Sequence, residues 1–328
     1  MEKVYYDPAY TNGVIAVREK TLLKEKLLRF CEMGAEESFR ALLESGFGGG
    51  AETASGVYEY EKLIAVEEKK TDDFIREYAP TSAEREYLLS PRDFHNAKAL
   101  IKATRLGVCA EKLLAPEGLL STDLIKECVQ SGDFSKIKTF NAYLGGACEQ
   151  AYTFLETQTD GAKVGEIFEK ALYAHLWATA KKSAPLKALL RAKADMTNIL
   201  TAFRAGDSER AKEGYLPVGL LTEKQLDLLF LDDEKKIKEG FAPTPYAAFV
   251  AECLAARGKG LPTTVAEKIV DGYDAEYFAA RRFALEKSEP FLYYVFRRRA
   301  ESANVRVVFA CLLTGQDEAE IKKRLRAI

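Results

Sequence analysis

The sequence predicts an all-α protein, and three observations lead to that prediction. Apolar residues recur at helical spacing along most of the 328-residue chain, as they do on one face of an amphipathic helix. Its 22 glycines and 10 prolines are too few for the frequent turns of an all-β protein. Prolines also fall at the ends of the periodic segments, where they do not interrupt a helix.

Three long helices are predicted along the chain, and each of them runs into a proline. They cover residues 58–78, 164–182 and 263–288, and the prolines are Pro80, Pro185 and Pro290. Further helical segments are expected at 15–30 and 318–328. His175 and Trp177 both lie on the second long helix, and we expect both to be core residues.

The charge balance and hydropathy of the chain exclude several classes of partner. Its 48 Lys and Arg residues and 50 Asp and Glu residues give a net charge of −2, so no overall basic field attracts nucleic acid or an anionic membrane. No apolar run approaches the roughly 18 residues that cross a bilayer, and the first residues contain no apolar secretion segment. The sequence therefore predicts a soluble intracellular chain without direct membrane insertion.

Motifs for catalysis, metals and cofactors are missing from the sequence. The six cysteines, at positions 31, 109, 128, 148, 253 and 311, include no Cys-x-x-Cys pair, and His95 and His175 are the only histidines. There is no phosphate-binding loop or nucleophile elbow. The glycines at 48–50 favour a flexible loop over a phosphate cradle. We therefore expect no catalytic residue, no metal and no cofactor.

Internal repetition is the most informative feature of the sequence. An acid and an asparagine three residues apart recur as Asp93 and Asn96, Asp195 and Asn198, and Glu301 and Asn304. A second block, Pro-x-Gly-Leu-Leu, starts at Pro116 and at Pro217, and Leu22-Leu23 repeats it without the Pro-x-Gly. Since both blocks recur in the same order with apolar flanks, we predict three similar helical repeats of about 100 residues each, longer than common solenoid repeats.

The predicted repeats are residues 1–115, 116–216 and 217–328. Because the second block begins out of phase, the ends of the chain can complete each other's repeat. This favours closure about a pseudo-threefold axis into a disc over a stacked row, with the N-terminal helix packed near the C-terminal repeat.

The repeated acid and asparagine share one helix face, which predicts a structural role. Each pair is expected to bond a neighbouring helix end or an arginine such as Arg18. Three consecutive arginines, Arg297, Arg298 and Arg299, are candidates for contact with an acidic partner, the alternative being a solvated charged face. The same alternative applies to Arg281–Arg282.

The sequence beginning at Asp93, Asp-Phe-His-Asn-Ala-Lys, resembles the acid-aromatic-His-Asn-x-Lys signature of the C-subunit family of V-type and archaeal A-type ATPases. This family is related to the d subunit of the vacuolar ATPase. Asn12-x-x-Ile15-x-Val17-Arg18 near the N-terminus supports the resemblance, and so does Glu289-Pro290-Phe-Leu-Tyr-Tyr-Val near the C-terminus. The resemblance covers essentially the whole chain.

The resemblance implies a non-catalytic, all-helical funnel of three similar domains in the central stalk of a rotary ATPase. Such a protein receives the D and F shaft subunits and rests on the membrane proteolipid ring, so that torque passes through it for hydrogen-ion or other ion transport, or for ATP synthesis. ATP binds subunits of the head, so no cofactor is implied here. The implied location is cytoplasmic, peripheral to the membrane through the complex.

Two alternatives remain open at this point. One is a freestanding helical scaffold that binds an unrelated partner helix. The other is an enzyme with a helix-lined acidic pocket, in which Asp195 and Glu301 would be the candidate acids. The sequence leaves open whether the coupling ion is a proton or sodium, and in which direction the complex runs.

Overall fold

A computed structural model describes residues 7–23, 25–258, 264–284 and 287–326. These residues form seventeen α-helices joined by loops and short 3₁₀ turns, with no β-strand among them, which confirms the all-α prediction. In chain order the helices are α1 (Pro8–Arg18), α2 (Lys26–Phe30), α3 (Ala35–Glu44), α4 (Tyr60–Tyr78), α5 (Ser82–Leu106), α6 (Thr122–Ser131), α7 (Ser135–Phe140), α8 (Ala142–Thr157), α9 (Gly161–Thr179), α10 (Ala184–Ala205), α11 (Ser208–Gly214), α12 (Glu223–Asp227), α13 (Glu234–Phe241), α14 (Ala247–Gly258), α15 (Thr264–Ala279), α16 (Glu289–Leu313) and α17 (Glu318–Arg324).

The chain divides into two compact units. Unit 1 comprises Met1–Pro80 and Asp233–Ile328, and unit 2 comprises Thr81–Asp232. Unit 1 therefore contains α1–α4 and α13–α17, whereas unit 2 contains α5–α12. The three repeats, their boundaries and their funnel-like arrangement stay predictions.

Unit 1 is organised around α16. Seventeen of the 25 residues of this helix are buried, because α1, α4 and α15 pack along its length. A helix buried on nearly all sides shows no single apolar face, so its burial is not evident from periodicity. Val305 and Phe309 of α16 form one core with residues of the N-terminal helices, including Leu27, Phe39 and Leu63.

Unit 2 is organised around α5, α8 and α9, which pack against one another. Phe94 and Ile101 of α5 share a core with Ile125 of α6 and Phe168 of α9. Together these residues hold α5, which carries the first acid–asparagine pair, between its neighbours.

The predicted helices exist, with some changes at their ends. α4 ends at Tyr78 before Pro80, while Pro185 and Pro290 lie in the first turns of α10 and α16, where the missing N–H costs nothing. Residues 58–78 and 164–182 correspond to α4 and to α9 with its 3₁₀ extension.

The predicted helices at 15–30, 263–288 and 318–328 are too long. Between α1 and α2 the backbone at Leu22 is extended, so the predicted helix is interrupted there. The third long helix ends at Ala279, with residues 263, 285 and 286 outside the described part. α17 ends at Arg324, and residues 327–328 are likewise not described. In the described part of the chain, no helix has both the length and the apolarity to cross a membrane.

Candidate functional site

The first acid–asparagine pair fastens a loop to α5. The carboxylate of Asp93 accepts hydrogen bonds from the backbone N–H groups of Leu119, at 3.0 and 3.1 Å, and of Leu120, at 3.2 Å. One turn further, the amide of Asn96 donates to the carbonyl of Ala115 at 3.1 Å and accepts from its N–H at 2.8 Å. We call this arrangement, an acid and an asparagine that bind the backbone of a separate segment, a clasp.

The second clasp repeats the first in detail. Asp195 on α10 accepts from the N–H groups of Leu220 and Leu221 at 2.8 and 2.9 Å. Asn198 donates to the carbonyl of Leu216 at 3.0 Å and accepts from its N–H at 2.7 Å. The side chain of Asp195 is fully buried, so its charge is stabilised by backbone donors rather than by water. The Leu-Leu block and the acid–asparagine motif are therefore binding partners.

The glycine of the Pro-x-Gly-Leu-Leu block is explained by the same contact. A Cβ at Gly118 would lie 2.4 Å from Oδ1 of Asp93, and one at Gly219 would lie 2.3 Å from Oδ1 of Asp195. Only glycine lets the backbone approach the carboxylate this closely. The residue after Leu-Leu then caps a helix, since Ser121 accepts a hydrogen bond from the backbone of α6.

The third clasp draws its two halves from opposite ends of the chain. Glu301 on α16 accepts from the N–H of Leu23 at 2.5 Å, and Asn304 bonds the N–H and carbonyl of Arg326 at 2.8 and 3.2 Å. Leu23 belongs to the shortened block that aligns with the other two in the sequence. Its bond to Glu301 holds this stretch away from helical geometry, so the predicted helix at 15–30 breaks into α1 and α2.

An arginine on the same helix supports the third clasp. The guanidinium of Arg298, 3% exposed, donates to Oε2 of Glu301 at 2.9 Å and lies 3.3 Å from Oε1 of Glu67. It also donates to the carbonyls of Arg18 and Thr21, at 3.0 and 3.4 Å. Burial raises the pKa of Glu301, while the nearby Arg298 charge favours its ionised form. Arg298 thus ties the segment after α1 to α16.

The expected roles of Arg18 and of the glycine stretch are corrected by this network. Arg18 offers its carbonyl to Arg298, while its own guanidinium lies 4.9 Å from the centre of the Phe74 ring. The glycines at 48–50 do not form an open loop. Gly48 is buried with a positive φ of 60°, donates its N–H to Glu67 at 3.2 Å, and leaves no space for a Cβ beside the carbonyl of Leu63.

A cleft of about 300 Å³ lies beside this network in unit 1. Arg298 and Glu67 line it, with Lys70 and Thr71 at the same site. The arginine and the glutamate bind each other there, so the acid that lines the cleft is already paired. Among the described residues, no group of three or more His, Cys, Asp or Glu side chains could hold a metal ion.

The remaining arginines of the triplet lie in different surroundings. Arg297 is 8% exposed and Arg299 is half-buried, so a solvated face does not describe this run. Contact between these arginines and a partner stays a prediction. The reason for the burial is that α16 is covered on nearly all sides.

The two aromatic residues singled out on α9 differ from each other. His175 is a buried core residue, as expected, stacked on Phe94 with ring centroids 5.6 Å apart. Burial lowers its pKa to about 4, although the carboxylate of Glu86 lies 3.5 Å away. Trp177 is only partly buried. The charged groups of Lys187 and Arg191 lie over its ring, at 4.6 and 4.8 Å from the ring centre.

Sequence reasoning missed two features of the third clasp: the supporting role of Arg298, and Arg326 as the residue whose backbone Asn304 binds. One signal was available for the arginine. The third repeat alone carries the longer Glu301 without a glycine in its Leu-Leu block, which indicates a modified clasp. No signal existed for Arg326, since only its backbone takes part.

Comparison with known proteins gives two results. The profile of the family described as ATP synthase (C/AC39) subunit matches residues 11–324. The chain is also similar to the C subunit of the V-type ATP synthase of Thermus thermophilus, whose sequences from two strains are each 24% identical over 247 residues, 74% of this chain and 76% of theirs. The matched range contains the positions of all three acid–asparagine pairs.

Proposed function

We propose, from the premise that this chain belongs to the ATP synthase (C/AC39) subunit family, that it is the central-stalk rotor subunit of a V/A-type rotary ATPase. In this role it links the D and F shaft subunits to the membrane proteolipid ring. It transmits torque for ion transport or ATP synthesis and carries no catalytic site of its own.

The observation that carries the proposal is the family match over nearly the whole chain, residues 11–324. The similarity to a protein named as the C subunit of a V-type ATP synthase supports it, because it extends over three quarters of both chains. The partners, the cytoplasmic location at the membrane surface and the funnel of three domains are part of the same proposal.

The clasps give the proposal a physical basis. A part that transmits torque must resist sliding of its helices and loops against one another. In each clasp, a buried acid and a buried asparagine hold the backbone of a loop to a long helix through several hydrogen bonds. Buried and fully bonded networks of this kind specify one arrangement of the segments they join.

Deletion of this subunit is the experiment that tests the proposal. The complex that lacks this subunit should retain ATP hydrolysis by its catalytic head. ATP-driven ion transport into membrane vesicles should be lost, and it should return when the wild-type gene is restored. Ion transport at the normal rate in vesicles that lack the chain would contradict the proposal. Proteins that co-purify with the tagged chain provide a second test, since a freestanding scaffold would bring down no rotary ATPase subunits.

A further inference from the structure

Arg297 is a buried arginine without a partner among the described residues. It lies on α16 one turn before Glu301 and is 8% exposed, yet it forms neither an ion pair nor a hydrogen bond with any of the residues the structure describes. The adjacent Arg298 shows how such a group is normally satisfied, by carboxylates, carbonyls and hydroxyls. A guanidinium that is mostly withdrawn from water and has no bonded acceptor is less well satisfied than that of Arg298, so an acceptor at its exposed part would stabilise it.

The guanidinium of Arg297 still reaches the surface. Its nitrogens are not among the fully buried polar atoms without a partner in the described part of the chain, and the residue keeps 8% of its surface exposed. Burial lowers the pKa of Arg297, and the positive charge of Arg282 acts in the same direction. Tyr293, Glu301 and Glu19 oppose this shift, but neither carboxylate is within ion-pair distance of Arg297 in the described structure.

The corresponding arginine of the second repeat provides an internal comparison. Arg191 stands four residues before Asp195, as Arg297 stands four before Glu301. Arg191 lies 4.8 Å from the centre of the Trp177 ring, which the preceding helix supplies. In unit 1 the segment after α15 supplies Arg282, whose guanidinium lies 5.9 Å from the centre of the Tyr293 ring, and Tyr293 precedes Arg297 by one turn of α16.

Arg282 is also available for a partner. It is exposed, and its guanidinium contacts only aromatic rings within the described structure, Phe283 at 4.6 Å and Tyr293 at 5.9 Å. Phe283 is itself 73% exposed, so an apolar surface lies next to Arg282. We refer to Arg282, Phe283, Tyr293 and Arg297 as the basic surface.

We propose that the basic surface binds an acidic segment of a partner protein, with an Asp or Glu carboxylate between Arg282 and Arg297 and an apolar side chain against Phe283. Charge complementarity is the basis for this choice, since neither guanidinium forms an ion pair with a carboxylate of the described residues, and a carboxylate of the partner can accept hydrogen bonds from both. The inference rests on the proposed function in one respect: the partner is then another subunit of the rotary complex.

Rebinding to a complex purified from a deletion strain tests this inference. Wild-type chain, Arg282→Glu and Arg297→Met are compared at low and high salt, with Arg40→Glu, at an exposed arginine of α3 in the same unit, as the matched control. Both variants of the basic surface should weaken rebinding by about tenfold or more, and the wild-type affinity should fall with salt. Arg40→Glu should rebind like the wild type.

The possible outcomes separate this inference from the proposed function. If the wild-type chain rebinds but Arg282→Glu and Arg297→Met rebind equally well, the inference is overturned and the function stands. If the wild type does not rebind at all, the proposed function fails, and this inference with it. Because Arg282 is exposed, Arg282→Glu decides the matter even if Arg297→Met does not fold.

Two other occupants would also overturn the inference. If the occupant were a free anion, inorganic phosphate would raise the melting temperature of the wild type but not that of Arg297→Met. Rebinding would then be unaffected by Arg282→Glu and by Arg297→Met. A second copy of this chain would appear as a dimer of the isolated protein that Arg282→Glu dissociates. Crosslinking of the Arg282→Cys variant to an acidic segment of another subunit would support the proposal directly.

Discussion

A carboxylate that is fully buried must be satisfied by the protein, and each clasp does this with backbone N–H groups. Asp195 accepts from two successive residues, and Gly219 leaves the space that the carboxylate occupies. The acid and the glycine are therefore energetically coupled: each is required because of the other. The contacts of the first two acid–asparagine pairs correspond residue by residue, and the structural equivalence of all three pairs stays a prediction.

Gly219→Ala is expected to destabilise unit 2 by about 1–3 kcal/mol, because the new Cβ displaces the carboxylate from its two donors. Asp195→Ala is expected to cost a similar amount. In the double variant the new Cβ meets no carboxylate. The loss of stability should therefore be smaller than the sum of the losses in the two single variants. Chemical denaturation monitored by fluorescence measures the stability of unit 2, because Trp177, the only tryptophan of the chain, lies in that unit.

Gly165→Ala is the matched control for this substitution. It lies in α9 of the same unit, and a Cβ there meets nothing within 4 Å, so alanine should be neutral or slightly stabilising. The coupling of acid and glycine would be disproved by a Gly219→Ala variant as stable as Gly165→Ala.

His175 should make unit 2 sensitive to acid. Its pKa is about 4 in the folded state against about 6.5 when unfolded, so the unfolded state binds more protons between these values. Stability should therefore be lost as the pH falls from about 6.5 towards 4, by up to about 3 kcal/mol from this group. Urea denaturation curves at a series of pH values, read from Trp177 fluorescence, measure the loss.

His175→Gln should make the stability of unit 2 less dependent on pH in that window. The matched control is His95→Gln, since His95 is exposed and is the other histidine of the chain. If both variants showed the wild-type pH dependence, burial of His175 would not be the cause.

At the scale of the elements, α16 is the helix on which unit 1 depends. It contacts α1, α4 and α15, and it carries both the third clasp and Arg298. Arg298 joins three segments that are far apart in the sequence: the turn after α1, α4 through Glu67, and α16 itself. Because Glu67 also holds Gly48, the glycine turn belongs to the same network.

Arg298→Met should loosen these segments together. It leaves Glu301 buried without its cation and leaves Glu67 with Lys70 alone, which is expected to cost about 3–5 kcal/mol. Amide hydrogen exchange should become faster at residues 18–23 and at Gly48, while unit 2 stays protected.

Arg306→Met is the control on the same helix. Arg306 pairs with Glu61 and Glu68, but its own side chain and that of Glu61 are about half exposed, so the expected cost is only about 1 kcal/mol. Equal exchange protection of residues 18–23 in Arg298→Met and in the wild type would contradict the role assigned to Arg298.

At the scale of the whole molecule, segments far apart in the sequence, at Leu23 and at Arg326, meet at the third clasp. In the first two repeats, the segment bound by asparagine and the segment bound by the acid are continuous, as in Ala115 to Leu120. In the third, Arg326 and Leu23 take these places, so Glu301 and Asn304 bind segments from opposite ends of the chain. This split explains why the Leu-Leu block is out of phase in the sequence.

A chain that stops after Arg324 should be destabilised, although terminal residues are usually dispensable. It loses the backbone partner of Asn304 and the buried side chain of Leu325. Leu325→Ala in the full chain isolates the effect of losing the Leu325 side chain. Truncation should therefore lower the melting temperature more than this substitution does. Equal melting temperatures for the two would show that the bond from Asn304 contributes nothing.

The sequence by itself determined the all-α class, the three acid–asparagine pairs and the accompanying Leu-Leu block. These follow from periodicity and from repetition, which are properties of the chain read locally. It also identified the family, because motif order and spacing along the chain are sequence properties.

Only the tertiary structure decided that the two repeated blocks bind each other. Glu301 and Leu23 are 278 residues apart, and no local pattern states which distant backbone group a buried carboxylate meets. The same reason applies to the arginines. Arg297 and Arg298 are adjacent and chemically identical, yet Arg298 is enclosed by acceptors and Arg297 ends unpaired among the described residues, because successive residues of a helix point about 100° apart.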